Sequence, residues 1–265
     1  MNNVALGQYM PLDSVVHKMD PRSKIMIMLF LMVAIFIPAG ALGYVVIGMF
    51  ILFSLYLSTL IIQYAIRTMK PILWMMAFLL VINLLFIKTG TPLFSIKGFT
   101  IYSDAVNQTL YIVVRLMLMV IITTVLTATT KPLDLTLGIE KLLKPFEKVG
   151  VPAHIIAMMI SIALRFIPTL IEETQRIMNA QASRGVDLEN GSIKEKIMAI
   201  LSLIVPLFVS AFDRADQLAN AMEARGYDPS RKRTRYKVLK MQTIDYASMI
   251  LSVVVLCASI GIWVL

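Results

Sequence analysis

The stretch IIAMMISIALRFIPTL, residues Ile155–Leu170, decides how this chain folds. It is apolar enough to be taken for a membrane span, and so is IMAILSLIVPLFVSAF, Ile197–Phe212. Arg165 and Pro168 argue against the first as a span, because a charge at mid-membrane costs several kcal/mol by most estimates. Downstream, Arg165, Thr169, Glu172, Arg176, Asn179 and Ser183 recur at spacings of 4, 3, 4, 3 and 4. That period puts them on one helix face. The second stretch continues in the same way through Asp213, Gln217, Asn220 and Ala224. A helix with one wet edge and a broad apolar remainder lies along an interface or packs on other helices. The expectation is therefore two long amphipathic helices, from Pro152 to about Ser183 with a bend at Pro168, and from Ser192 to about Ala224. The alternative is a transmembrane hairpin.

Outward from this pair, the chain reads as a membrane protein. Of its 265 residues 58% are hydrophobic and 15% charged, against about 45–50% and about 25% in ordinary soluble domains. The net charge of +9 is better explained by basic cytoplasmic loops than by nucleic acid. No apolar h-region occurs in the first 24 residues, so no cleavable signal is expected. Apolar runs occur at Ile25–Ile37, Tyr44–Ile62, Pro71–Ile87, Leu110–Thr129 (interrupted by Arg115) and Ile244–Leu265 (with Asp245 at its start). A bilayer core of about 30 Å needs roughly 20 helical residues, so these predict five spans, with Pro71 in a first turn where helices tolerate it. Lys18, Arg22 and Lys24 precede the first span, and Arg67 and Lys70 separate the second from the third. Positive-inside reasoning puts the N-terminus in the cytoplasm. Residues 130–242 hold 17 of the 25 Lys and Arg and 12 of the 16 Asp and Glu. The predicted organisation is thus a membrane part with four spans (1–129), a cytoplasmic domain of three helices (130–242) and a last span (243–265).

The two amphipathic helices end alike. Asn179-Ala180-Gln181-Ala182-Ser183-Arg184-Gly185-Val186-Asp187 and Asn220-Ala221-Met222-Glu223-Ala224-Arg225-Gly226-Tyr227-Asp228 share the pattern N-A-x-x-[SA]-R-G-x-D at an offset of 41 residues. Glycine just past the last turn suits the left-handed position that ends a helix. Arginine one residue earlier complements the negative end of the helix dipole, and its rigid fork of donors pairs bidentately with carboxylates. Small residues before it keep each tip slim. Two such tips suit acidic, concave sites on another protein; the plain alternative is two ordinary helix caps. Identical tips with one role should face one compartment, which favours helices lying at the cytoplasmic surface over a hairpin.

Chemistry-bearing patterns are missing. The sequence has no phosphate-cradling G-x-x-x-x-G-K-[ST], and no G-x-S-x-G. With only His17 and His154 as histidines and Cys257 as the one cysteine, it has no metal-ligand cluster of its own and no internal disulfide. Arg115 and Asp245 are the charges within or near the spans, fewer than ion-coupled permeases usually carry. Arg115 is expected to pair with a carbonyl or a partner helix, or to snorkel to a helix end. The 19 methionines suit adaptable surfaces or simple gap-filling.

These residues resemble a known family. Tyr9-x-Pro11, Ser14 through Lys24 with Asp20-Pro21-Arg22, Ile162-Ala163-Leu164-Arg165-Phe166-Ile167-Pro168, Ser183-Arg184-Gly185 and Ala224-Arg225-Gly226-Tyr227 are similar to the transmembrane T components of energy-coupling factor transporters, the EcfT family with its CbiQ-like members. The resemblance runs over essentially the whole length. It implies an all-α integral membrane protein with about five transmembrane helices and a cytoplasmic coupling domain of long amphipathic helices. It also implies a multi-pass, non-catalytic subunit of a cell-membrane importer, with no cofactor of its own. Its partners would be two ATP-binding-cassette ATPases of EcfA type, alike or different, which bind the ATP, and a substrate-binding S component that captures a vitamin or other micronutrient. Arg184 and Arg225 would anchor the ATPases, and Ser183, Gly185, Ala224 and Gly226 would shape the tips. The contrasting readings are a self-contained secondary permease and a membrane enzyme.

Overall fold

The computed structural model describes residues 9–59, 62–87, 89–96, 99–150, 152–186, 192–228 and 238–264. Its helices are α1 (Val15–Lys18), α2 (Pro21–Phe36), α3 (Gly40–Leu57), α4 (Ile62–Phe86), α5 (Ser103–Thr129), α6 (Pro132–Leu143), α7 (Ala153–Ser183), α8 (Ile193–Ala224) and α9 (Thr243–Val264). One antiparallel hairpin, β1 (Pro92–Ile96) and β2 (Phe99–Tyr102), joins α4 to α5. The protein is an all-α membrane protein, with that hairpin as its one addition among the described residues. It divides into two compact units: residues 1–142 with 239–265, and residues 143–238.

In the first unit α2 is the central helix. Leu31, Ala34 and Ile35 of α2 pack with Tyr44, Ile47 and Ile51 of α3, Leu118 and Ile122 of α5 and Val255 of α9. On α9 one face is buried through Asp245, Ser252, Val255 and Ser259. Small residues let membrane helices approach closely, and the serine hydroxyls are satisfied within their own helix, Ser252 donating to the Met249 carbonyl (2.7 Å) and Ser259 to that of Val255 (2.9 Å). α6 lies against the start of α2: a Cβ at Gly138 would come within 3.1 Å of the Pro21 Cβ.

The N-terminal ends of α2 and α9 are tied by buried polar groups. Asp20 caps α2, accepting from the Arg22 amide at 2.9 Å, while Pro21 fills the first turn, where its missing N–H costs nothing. Asp245 is wholly buried. Its Oδ1 accepts from the Asp20 amide (2.9 Å) and the Ser23 hydroxyl (2.7 Å), and its Oδ2 from the Gln242 amide (2.7 Å). Burial alone would raise the Asp20 carboxyl, but hydrogen bonds and charge from Arg22 outweigh it and hold it below its ordinary value. Lys24 reaches across to α5, donating to the Thr129 carbonyl (2.9 Å) and the Thr130 hydroxyl (3.1 Å).

Two expectations need correction. Pro71 is not at a first turn, because α4 begins at Ile62 and runs through it. The sequence reading stopped at Arg67 and Lys70, but charge marks where lipid ends, not where a helix ends. The loop between α4 and α5 holds the hairpin, in a segment rich in β-branched and aromatic residues; Lys88, Lys97 and Gly98 lie outside the described residues. Among the described residues five helices are long and apolar enough to cross a membrane, namely α3, α5, α7, α8 and α9. This is not the set the apolar runs predicted: α2 has 16 residues, and the apolar part of α4 is Leu73–Phe86. Length and composition admit α7 and α8, as they did at the outset. Only 6% of the apolar window of each is buried, so their apolar faces await a covering.

Candidate functional site: the paired helix ends

α7 and α8 make up most of the second unit. α8 opens with a full capping box, in which the Ser192 hydroxyl accepts from the Glu195 amide and the Glu195 carboxylate from the Ser192 amide. Pro168 and Pro206 lie inside continuous helices. The two helices are joined by an ion pair, with Arg214 Nη2 donating to Glu173 Oε2 at 2.9 Å. Gln181 Nε2 also donates to the Ser202 carbonyl at 3.3 Å. The first contact pairs residue 173 with 214 and the second pairs 181 with 202. Advancing along α7 therefore means retreating along α8, and the pair is antiparallel.

Both C-terminal ends close with the same motif. At the end of α7 the Gly185 amide donates to the Ala182 carbonyl (3.0 Å) and the Val186 amide to the Gln181 carbonyl (3.0 Å). At the end of α8 the Gly226 amide donates to Glu223 (2.8 Å) and the Tyr227 amide to Met222 (2.9 Å). These are the two bonds of a Schellman motif, which returns otherwise unmet carbonyls to partners. Gly185 has φ +84° and Gly226 φ +68°, a region that costs an L-residue roughly 1–2 kcal/mol. Ser183 and Ala224 are the last helical residues and are exposed, and the Ser183 hydroxyl is held by the Asn179 carbonyl at 3.0 Å. Arg184 and Arg225 are the C-caps, both exposed. Neither forms an ion pair among the described residues. Asp187, the last position of the first repeat, lies outside the described residues.

Nothing stands within 4 Å of a Cβ built on either glycine, so a substitution there is penalised by backbone strain and not by crowding. Gly226→Val is expected to destabilise the α8 end by about 1–2 kcal/mol. Amide exchange at Tyr227 should rise about tenfold while exchange in the middle of α8 is unchanged. Gly226→Asn should be milder, because asparagine visits this region more readily.

The structure adds a feature that the motif reading missed. Glu173 and Arg214 stand 41 residues apart, the same offset that relates Arg184 to Arg225. Each arginine lies 11 residues beyond its helix's member of the ion pair, or about 16 Å at 1.5 Å per residue. The antiparallel pair is thus joined at equivalent positions and carries a cationic tip at equal distance on either side. Extending the repeat upstream, where Glu172 and Asp213 also match at 41, would have brought the pairing position into view. Among the described residues, no group of three or more His, Cys, Asp or Glu could hold a metal ion.

A family model described as cobalt transport protein, CbiQ, matches residues 13–236. A protein of Clostridium kluyveri named energy-coupling factor transporter transmembrane protein EcfT is 44% identical over 262 residues, covering 98% of this chain and 97% of that one. Proteins of the same name from Bacillus subtilis and Lactococcus lactis are 41% and 39% identical, over 97% and 99% of this chain and 97% and 98% of theirs. Identity of this extent along nearly full lengths, on a chain of spans and twinned helix ends, shows that the protein belongs to the CbiQ family, among the EcfT transmembrane proteins of energy-coupling factor transporters.

Proposed function

We propose that the chain is the non-catalytic coupling subunit of its transporter, passing ATP-driven motion of two cassette ATPases to a substrate-binding S component that imports a vitamin or other micronutrient. In this reading the N-terminus and residues 130–242 face the cytoplasm. Arg184 and Arg225, framed by Ser183, Gly185, Ala224 and Gly226, each seat in an acidic groove of one ATPase. The observation that carries the reading is the equal spacing of two identical cationic tips about the Glu173–Arg214 pair. A pair of like ATPases presents two like grooves about a two-fold axis, and an antiparallel helix pair with matched tips complements that symmetry. A guanidinium on a Schellman end is presented on a fixed backbone stem, so little backbone freedom is lost on docking.

Closure of the ATPases on ATP moves the grooves, and the tips move with them. Because α7 and α8 are long and joined at one ion pair, displacement of the tips turns one helix against the other. The broad apolar faces of these helices, which the chain itself leaves uncovered, transmit that turn to the S component, which topples and releases its cargo. Chemistry stays with the ATPases.

The test is uptake into proteoliposomes. The chain with both ATPases and an S component should accumulate substrate only with ATP inside the compartment the tips face. The chain alone, under a proton or sodium gradient, should accumulate none. Gradient-driven uptake by the chain alone would replace this reading with that of a secondary permease.

A further inference from the structure

Arg115 is used by none of the above. It lies 12 residues into α5, about 18 Å along the helix from Ser103, which is membrane depth for a span of this length. Its Nε and Nη2 both donate to one oxygen, the Tyr44 hydroxyl, at 3.1 and 2.9 Å. The Tyr44 hydroxyl in turn donates to the Ile35 carbonyl at 3.4 Å. The guanidinium stands over the Phe36 ring, 5.8 Å from its centre, and Tyr111 packs against Tyr44 with ring centres 5.8 Å apart. A guanidinium carries five N–H donors. Three of these meet no acceptor among the described residues, and no carboxylate pairs with Arg115 there. Nη1 is not among the buried unmet atoms, so it is open to whatever surrounds the spans.

The helices beside it are short. α2 has 16 residues and α3 has 18, about 24 and 27 Å, against a hydrocarbon core of about 30 Å. Phe36 ends α2 and Tyr44 is one turn into α3, so the turn between them stands within a side chain's reach of Arg115. α5 continues about 18 Å past that level to Ser103. The α2–α3 turn is thus recessed beside α5, and a short hydrophobic element is accommodated by thinning of the bilayer around it. Phe36, Leu42 and Val45 are exposed around the recess at 60%, 71% and 58%. A ligand for this place needs an anionic oxygen for the guanidinium fork and apolar chains for its flanks. Free phosphate meets only the first need.

We propose that Arg115, held in place by the Tyr44 hydroxyl, binds the phosphodiester of a membrane phospholipid with its remaining N–H donors, the lipid being drawn in over the recessed α2–α3 turn. The bound lipid completes the hydrogen bonding of the guanidinium and supplies the counter-charge that the described residues do not provide there.

Native mass spectrometry of the full chain released from bilayers of phosphatidylglycerol and phosphatidylcholine tests this. The wild type should keep one phospholipid through delipidation steps that strip annular lipid. Arg115→Gln should lose that lipid by about tenfold, with Arg115→Lys between the two. Excess inorganic phosphate should leave the retained lipid in place. Equal retention by Arg115→Gln, or displacement by free phosphate, would overturn the proposal. Solid-state NMR of the unmodified protein in bilayers needs no variant: dephasing of the Arg115 guanidinium nitrogens by lipid phosphorus is expected, and its absence would overturn the proposal.

Discussion

Reversing both helix-end charges, Arg184→Glu with Arg225→Glu, is expected to abolish copurification of the ATPases while the protein still inserts and folds. Both side chains are exposed and form no ion pair among the described residues, so exposed-surface substitutions here should change stability by no more than about 0.5 kcal/mol. At a docked interface the account differs. Breaking one partner of a desolvated charge pair costs about 2–5 kcal/mol, and replacing attraction by repulsion adds to that. Two sites engaged at once make the losses multiply, because each tip holds the other at high effective concentration. A single reversal should therefore weaken the complex by about thirtyfold to several thousandfold, and the double reversal should remove it from pull-downs altogether. Loss of the ATPases together with a lowered melting temperature of the chain would mean that the tips serve the fold instead.

The second large effect is expected at Asp245. Its carboxylate is fully buried and accepts from two backbone amides and one hydroxyl. Asp245→Ala removes the acceptor of the Asp20 and Gln242 amides, each worth about 1–3 kcal/mol, while the Ser23 hydroxyl keeps the Asp20 carbonyl at 2.7 Å, for a total loss of about 2–6 kcal/mol and a drop of about 10 °C in the melting temperature of the detergent-purified chain. Asp245→Asn keeps one accepting oxygen but turns an amide toward a donor, so it should fall between. The Asp20 carboxyl of the same cluster is held below its ordinary value. Its contribution is therefore complete above the unfolded-state value and is lost as pH falls through the lower, folded-state one. A chain bearing Asp245→Ala with wild-type stability would show that this cluster does not hold α2 to α9.

Much of this architecture was legible in the residues. The run Leu110–Thr129 lies wholly within α5, and Ile244–Leu265 begins one residue into α9, with Leu265 outside the described residues. The glycines at 185 and 226 take the left-handed conformation that helix ends ask of glycine. These are local properties, set by period and by backbone sterics. What sequence could not supply was partnership at long range. Nothing near Asp245 points to Asp20, 225 residues away, although Asp20-Pro21-Arg22 was singled out for its likeness to a family. Arg115 was expected to find a carbonyl or a partner helix, or to snorkel, but which residues would receive it, a tyrosine of α3 and a phenylalanine ring of α2, could not be read from the run around it. Charge misled at α4, where Arg67 and Lys70 were taken for a helix boundary that the backbone passes through.

The account stands on both arginine tips facing the inner side of the membrane. In a Cys257→Ser background, which removes the one native thiol, Arg184→Cys and Arg225→Cys can each be probed with a membrane-impermeant maleimide. Both positions should resist labelling in intact cells and react fully once the membrane is opened. Labelling of either position from outside intact cells would contradict the account.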